Sequence, residues 1–278
     1  AWHHLPLMTA LVALAALLHD LGKATQAFQD RLKNPSMRER NHYRHEWVSV
    51  RLFQAFVGQD DDTRWLRRLA ACGDTDFDAQ TFELTWLDHA LERLLRDGVD
   101  VPKASRHLPF AELPPLATAV AWLVFTHHRL PCLPVKQGQG IVAEDQEDNR
   151  HTYRLFGARP GFINTSELDD VLLHISADWN EPREHAEPST VQAHWHFPHG
   201  LPVTQLAWRK QAARYARKLL NLSKTAGQST VLHDPFAMHV SRLCLMLADH
   251  HYSSLTDAAA RAPYLSQDYP LYANTRSN

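Results

Sequence analysis

The 278-residue sequence has few cysteines and no excess of positive charge. Its three cysteines, Cys72, Cys132 and Cys244, are odd in number and far apart. This argues against a disulfide framework and against a cysteine-based zinc site, and it fits a reducing cytoplasm. The formal net charge of -2 excludes a global positive field. Any binding of nucleic acid therefore requires a local basic patch.

A membrane span is also lacking. The apolar stretch from Leu5 to Leu18 is too short to cross a bilayer and has no positively charged segment before it. It runs directly into a charged amphipathic continuation, so we expect a buried helix and no membrane partner. The first residue is Ala1 and the chain ends in the polar run LYANTRSN. We therefore expect the chain to be a piece of a longer polypeptide.

The apolar spacing predicts a mostly helical protein. No alternating strand pattern of any length and no internal repeat is present, and we expect a single all-α domain over residues 1–278. Two segments, 131–165 and 177–203, carry Pro, Gly, His and charge without a period and predict long loops. The predicted helices run from Pro6 to Leu32 and over 43–57, 62–71, 79–97, 113–129, 204–222 and 236–255.

The most informative motif is LLHDLGK, where an apolar run ends in His19 and Asp20, with Lys23 three residues later. Such groups are costly beside buried leucines unless they have partners. Adjacent helical residues point about 100° apart, so both reach one pocket only around a shared cation. With 19 histidines in the chain, however, a chance His-Asp pair is an open alternative.

Three other segments repeat the pattern of polar groups at the end or start of apolar helices. YRHEWVS places His45 at the start of the second helix, and VFTHHRLP places His127 and His128 at the end of an apolar one. RLCLMLADHHYSSL delivers Asp249 after a buried run. Convergent histidines and carboxylates on buried helices predict a metal pocket.

The order His-Asp, His, His-His, Asp on helices resembles the HD superfamily of metal-dependent phosphohydrolases. More narrowly, LLHDLGKATQAFQDRL, RHEWVS and THHRLP resemble the HD nuclease domain of Cas3, in particular that of the type I-F Cas2–Cas3 fusion. The resemblance spans residues 5 to about 255 and implies an HD-type helical bundle with long loops.

The resemblance implies two divalent transition-metal ions. His19, Asp20 and Asp249 would hold the first, and Asp20, His45, His127 and His128 the second, with Asp20 bridging. Lys23 would contact the scissile phosphate, and Ser253 would support the ligands from outside. Mixed histidine and carboxylate ligation suits Mn²⁺, Fe²⁺, Co²⁺ or Ni²⁺ better than Mg²⁺.

One departure from the family pattern concerns a further histidine ligand upstream of the His-Asp pair. The candidates are His3 and His4. In an unbroken helix His4 lies about 22 Å from His19, too far to share a metal. Either the helix breaks, or the ligand lies before residue 1, or the first metal has one histidine fewer.

Other segments carry weaker signals. The basic helix at 208–224 predicts a track for a DNA backbone or, equally, a solvated face. Its cations are Arg209, Lys210, Arg214, Arg217 and Lys218. HWHFPH at 194–199 and EDQED at 144–148 are more typical of surface loops than of metal sites. Neither a P-loop nor a G-x-S-x-G motif is present, so we expect no helicase engine and no serine nucleophile in this chain.

These features predict a two-metal nuclease that cleaves single-stranded DNA in prokaryotic CRISPR interference. The expected partners are helicase domains of the same protein, a crRNA-guided Cascade-type surveillance complex and an anti-CRISPR inhibitor, in the cytoplasm. One alternative is an HD phosphohydrolase acting on nucleotides, which would need a closed pocket that recognises a base. The other is a non-catalytic docking domain, which would not cleave DNA.

Overall fold

In a computed structural model, the protein is described over residues 4–34, 36, 42–100, 108–110, 112–130, 172, 175, 180, 187–223, 231, 233–255 and 257–262. The regular elements within these residues are helices, so the prediction of an all-α fold is confirmed for them. In chain order they are α1 (Leu5–Leu18), a 3₁₀ turn (Leu21–Ala24), α2 (Gln26–Lys33), α3 (His45–Val57), α4 (Asp62–Ala71), α5 (Ala79–Leu87), α6 (Pro115–Thr126), α7 (Pro188–Ala193), a second 3₁₀ turn (Pro202–Thr204), α8 (Leu206–Ser223), α9 (Pro235–Ser254) and α10 (Ala258–Arg261).

The core is built around α1 and α6, which are apolar on nearly every side, and α3, which is buried along nearly its whole length. A helix of this kind is stable only when it is surrounded by protein. Accordingly α1 packs against α6, α8 and α9, while α3 packs against α5, α6 and the first 3₁₀ turn. Within the described residues, the segment Leu5–Ala24 is long and apolar enough to span a membrane by length and composition, but half of its most apolar window is buried inside the protein.

The predicted continuous helix from Pro6 to Leu32 is wrong, because the chain breaks at the His-Asp pair. Helix α1 ends at Leu18, and α2 begins only after Thr25, whose side chain caps Phe28 N–H. Between them Gly22 N–H donates to Ser49 Oγ of α3 at 2.8 Å. This buried contact with a neighbouring helix stabilises the turn in place of a continuous helix.

Two other predicted boundaries also differ from the structure. Helix α5 ends at Leu87, ten residues before the predicted end, and Asp88 accepts a hydrogen bond from Leu91 N–H in the turn that follows. The predicted loop over 177–203 contains α7, which opens with a proline at its first position. The predicted loop over 131–165 lies outside the described residues.

Past α5, the chain is anchored to α3 by a buried carboxylate, that of Asp97. Its side chain accepts hydrogen bonds from Trp47 Nε1 at 2.7 Å and from Arg51 Nε at 3.1 Å. The Asp97 carbonyl accepts from the Tyr43 hydroxyl and from Trp195 Nε1. These five residues, called the Asp97 cluster below, are buried, and their charges and donors are paired.

Candidate metal centre

The break after α1 places two candidate ligands at the end of a buried helix. His19 is the C-cap of α1, and its Nδ1 lies 2.8 Å from the carbonyl oxygen of Ala16. This contact favours an Nδ1–H donor and leaves the Nε2 lone pair for other partners. Asp20 follows in the turn, with Oδ2 at 3.4 Å from His19 Nε2.

Helix α3 brings His45 to the same place because its start packs directly on the turn. A Cβ at Gly22 would lie 2.1 Å from the His45 carbonyl oxygen, so only glycine permits this approach. Ser49 joins the two segments, since its hydroxyl donates to the His19 carbonyl at 2.9 Å and accepts from Gly22 N–H. His45 Nε2 thereby lies 3.5 Å from Asp20 Oδ1.

The end of α6 supplies the histidine pair. His127 is buried, and its Nδ1 lies 2.6 Å from the Val124 carbonyl oxygen, which directs Nε2 into the cluster. His127 Nε2 is 3.4 Å from His45 Nε2, and His128 Nε2 is 3.3 Å from the same atom. Three imidazole nitrogens therefore converge on one point.

Helix α9 contributes the last candidate from the opposite side. Asp249 Oδ1 lies 3.8 Å from His19 Nε2, and its side chain is 10% exposed. Four separate parts of the chain thus meet at one cluster, as the sequence predicted. They are the end of α1 with the turn that follows it, the start of α3, the end of α6, and helix α9.

The ligand atoms form two overlapping sets. Within each, the donor atoms lie within 4.8 Å of one another: His45, His127 and His128 in one, and His19, Asp20 and His127 in the other. His127 thus belongs to both sets, which the expected division between two metals did not include. The two oxygens of Asp20 face different histidines, an arrangement compatible with a bridging carboxylate.

Among the described residues, two atoms at the centre of the cluster are buried without a hydrogen-bond partner. They are His19 Nε2 and Asp20 Oδ1. Buried polar atoms in native proteins are nearly always paired, and each exception requires an explanation. A cation bound between them would satisfy both atoms, so the residues present fit a divalent metal.

The electrostatics of the cluster keep most ligands in the form that binds metal. Burial lowers the pKa of His45 to about 4, and burial together with the neighbouring imidazoles lowers that of His127 to about 3. Both side chains are therefore neutral at pH 7. For His19, burial is outweighed by the carboxylates of Asp20 and Asp249, which raise its pKa. Metal binding there would displace a proton.

The carboxylate of Asp20 is held in its charged form. Burial opposes the charge, but the neighbouring His19, Lys23 and His45 together lower the pKa of Asp20 well below its usual range. Lys23 Nζ lies 2.8 Å from Asp20 Oδ2, and its side chain is 12% exposed. The predicted phosphate-contacting cation is therefore at the centre, where it pairs with the carboxylate between the two ligand sets.

The sequence reasoning missed Glu46, which is fully buried beside His45. Its Oε2 lies 3.3 Å from His45 Nδ1, and its Oε1 accepts from Arg44 Nε. Although burial opposes its charge, His45 and Arg44 lower the pKa of Glu46 to about 2. A carboxylate behind a ligating histidine orients the ring and raises its basicity. In the sequence, an acid next to a histidine in the first turn of a helix resembles an ordinary dipole contact.

The two upstream histidine candidates have different outcomes. His4 is at the opposite end of α1, where its Nε2 lies 3.9 Å from Asp234, and α1 is unbroken over its 14 residues. His4 is therefore about 20 Å or more from His19 and does not join the cluster. His4 is in neither ligand set, and His3 lies outside the described residues.

The basic helix divides into buried and exposed cations. Arg209 is buried and donates to the carbonyls of Cys72 and Asp74, so its assignment to a DNA track is wrong. Lys210, Arg214 and Arg217 are exposed on α8, and Lys218 is half-buried. The start of α8 is fixed near the metal cluster, because Trp208 Nε1 donates to the carbonyl of Leu17 at 2.9 Å.

The weaker candidates do not join the cluster. In HWHFPH, His194 is buried with Nδ1 at 2.9 Å from the Thr190 carbonyl oxygen, and His196 lies 2.7 Å from Gln26 Oε1. Neither belongs to the two ligand sets found among the described residues. Ser253 is exposed on α9, and EDQED lies outside the described residues.

Comparisons with known proteins agree with this geometry. The model of the family described as Cas3, HD domain matches residues 5–211, which include the five candidate ligands before α9 but not Asp249. The chain is 38% identical over 279 aligned residues to CRISPR-associated nuclease/helicase Cas3 subtype I-F/YPEST from Pseudomonas aeruginosa. It is 35% identical over 278 residues to the protein of the same description from Pectobacterium atrosepticum. Both alignments cover 99% of this chain but only 22% of the relative.

Proposed function

Because the chain belongs to the Cas3 HD-domain family, we propose that it forms the metal-dependent nuclease centre of a CRISPR defence protein. The observation that carries this proposal is the pair of buried atoms without hydrogen-bond partners, His19 Nε2 and Asp20 Oδ1, at the meeting point of three further histidines. His19 Nε2 lies 3.4 Å from Asp20 Oδ2 and 3.8 Å from Asp249 Oδ1, and Asp20 Oδ1 lies 3.5 Å from His45 Nε2, spacings that a bound cation would bridge.

We assign two divalent ions to this centre. His19, Asp20 and Asp249 would hold one, and Asp20, His45, His127 and His128 the other, with Mn²⁺, Fe²⁺, Co²⁺ or Ni²⁺ best suited to these ligands. When bound, such ions supply hydroxide from water at neutral pH and neutralise the charge that develops on a phosphate. His127 belongs to both ligand sets, but its Nδ1 faces the Val124 carbonyl, so its Nε2 would serve one ion only.

The residues of the chain perform the remaining steps. The contacts of His19 with Ala16 and of His127 with Val124 hold these rings so that Nε2 faces the centre. Lys23 lies beside Asp20 and would turn its ammonium to an incoming phosphate oxygen once metal neutralises the carboxylate. Glu46 keeps the His45 ring oriented and supplies no proton, since its pKa of about 2 leaves it charged.

We propose single-stranded DNA as the substrate. The exposed cations of α8, Lys210, Arg214 and Arg217, lie on a helix whose first turn contacts the end of α1. A row of exposed cations on one face of a helix favours a polynucleotide over a free nucleotide. The proposed partners are helicase domains of the same protein, a crRNA-guided Cascade-type complex and an anti-CRISPR inhibitor, in the cytoplasm.

The test is cleavage of labelled single-stranded DNA with Mn²⁺, Co²⁺ or Ni²⁺, compared between the wild type and Asp20→Ala. We expect cleavage by the wild type only. The matched control is Asp76→Ala, which removes an exposed carboxylate in the turn before α5. This variant should cleave normally. Equal cleavage by wild type and Asp20→Ala, or hydrolysis of free nucleotides without cleavage of DNA, would contradict the proposal.

A further inference from the structure

Helix α9 exposes a row of large apolar side chains. Phe236 is 58% exposed, Leu243 51% and Leu247 60%. Single exposed apolar residues are ordinary, but several on one face of a helix are typical of an interaction surface. We call Phe236, Leu243 and Leu247 the α9 stripe.

The spacing of the α9 stripe places its members on one face of the helix. Positions 236, 243 and 247 follow the i, i+7, i+11 pattern of a single helical face. The opposite face is buried against α1 and α6 through Ala237, Met238 and Leu245. An α-helix that is apolar on two faces is usually covered on both, and here one of them is exposed.

The most direct occupant for this face is the rest of a longer polypeptide. Two relatives described as nuclease/helicase match 99% of this chain, yet the chain accounts for only 22% of their length. About four-fifths of such a polypeptide therefore lies outside this structure. Helix α9 also lies beyond residue 211, where the HD-domain family match ends, but inside the alignments with the long relatives.

We propose that the α9 stripe is the docking surface for the remaining part of the nuclease/helicase polypeptide. This inference rests on the proposed function, because that function places the chain in such a polypeptide. The same helix carries Asp249 on its inner side, with Oδ1 at 3.8 Å from His19 Nε2. Docking on the outer face would fix the position of a helix that contributes to the metal centre.

Cys244 provides a native probe of this surface. It is exposed next to Leu243 on α9, whereas Cys72 is buried and serves as an internal reference. In the full-length polypeptide that contains this chain, we expect a maleimide to label Cys244 at least ~10-fold more slowly than in the denatured protein, because docked surface reacts only on local opening. Peptide mapping by mass spectrometry identifies the labelled cysteine.

The double variant Leu243→Asp and Leu247→Asp should remove this protection in the full-length protein. The matched control is Leu84→Asp, which changes a leucine of α5 that is 58% exposed and leaves Cys244 protected. Labelling of wild-type Cys244 at the denatured rate would overturn the proposal. Protection that appears only at protein concentrations where sedimentation detects a dimer would assign the surface to a second copy and would also overturn it.

The same preparations separate this inference from the proposed function. DNA cleavage with Mn²⁺ is measured in parallel on the wild-type protein. Protected Cys244 without any cleavage contradicts the nuclease assignment alone. Cleavage with freely labelled Cys244 contradicts the docking surface alone.

Discussion

Helix α3 contributes to two buried polar clusters, one on each side. His45, Glu46 and Ser49 face the metal centre, and Trp47 and Arg51 face Asp97. In the Asp97 cluster the carboxylate accepts hydrogen bonds from the Trp47 indole and the Arg51 guanidinium, so it is hydrogen-bonded within the protein. In the metal centre Asp20 Oδ1 and His19 Nε2 are buried without such partners.

The difference shows how a binding site can be told from a structural network of equal burial. A cluster that serves stability pairs its polar atoms within the protein, because an unpaired buried group costs free energy. A cluster that serves binding leaves atoms for the ligand. Mutations in the two clusters should therefore change different measured quantities.

The largest effect is expected for Asp20→Ala on DNA cleavage. Asp20 faces histidines on two sides, so its loss disrupts both proposed metal positions. We expect the cleavage rate to fall on the order of 10³-fold, equivalent to about 4 kcal/mol of transition-state stabilisation. The loss of unfolding free energy in metal-free buffer should be smaller than that for Asp97→Asn. A larger loss would make Asp20 a structural residue and remove the contrast.

The converse change is Asp97→Asn. It leaves the buried Arg51 guanidinium without its counter-charge, and breaking a buried pair costs about 3–5 kcal/mol. Urea unfolding measures this loss. Asp100→Asn is the matched control, since it removes an aspartate from a pair with Arg96 nearer the surface and should cost about 1 kcal/mol or less. Equal losses in both variants would contradict the assigned role of the Asp97 cluster.

Metal binding should stabilise the protein through one cluster only. At a metal concentration of 100 times Kd, linkage predicts about 2.7 kcal/mol of added stability. Thermal unfolding with EDTA and with Mn²⁺ compares the two states. The wild type and Asp97→Asn should gain equally, and Asp20→Ala should gain little. A full gain in Asp20→Ala would place the metal elsewhere.

Glu46→Gln tests the link between α3 and the metal centre. Removing the charge behind His45 should weaken metal affinity by about 10–100-fold, the range seen when such outer partners are lost. Isothermal titration calorimetry with Mn²⁺ measures Kd. Glu112→Gln, at an exposed position, should bind metal normally. If Glu46→Gln also binds normally, Glu46 serves only its pair with Arg44.

The smallest effect is expected on DNA binding when the exposed cations of α8 are neutralised. Neutralising Lys210 and Arg214 with glutamine should reduce the salt dependence of single-stranded DNA binding by about 0.7 in log–log slope per lost phosphate contact. Fluorescence anisotropy at several salt concentrations gives the slope. Arg93→Gln is the control: it neutralises an exposed cation in the segment after α5, outside α8, and should leave the slope unchanged. An unchanged slope in the α8 variant would reassign that face to a solvated surface.

The sequence predicted which side chains come together better than it predicted the backbone that holds them. His19, Asp20, His45, His127, His128 and Asp249 were recognisable as candidates because each lies directly before or after an apolar run. Helix α4 was predicted with its observed bounds, since Asp61, its capping residue, and the apolar period agree locally. These are signals contained within one segment.

The features that were missed depend on contacts between segments. The break after Leu18 is stabilised by Ser49, 27 residues beyond Gly22. The early end of α5 accompanies the anchoring of Asp97 to α3, and the burial of Arg209 depends on Cys72, 137 positions away. Local propensity does not report such pairings. Glu46 was missed for a different reason: its partners Arg44 and His45 are sequence neighbours, and only the structure shows that its carboxylate is fully buried behind His45.

Gly22 has a mechanical consequence for the metal centre. With no room for even a methyl group against the His45 carbonyl, there is no clearance between the His-Asp turn and the start of α3. Ser49 fastens the same two segments by hydrogen bonds. Asp20 and His45 are therefore expected to move together, so that a displacement of α3 would carry the His-Asp turn with it. Adjustment between the two ligand sets is left to the helices that carry His127, His128 and Asp249.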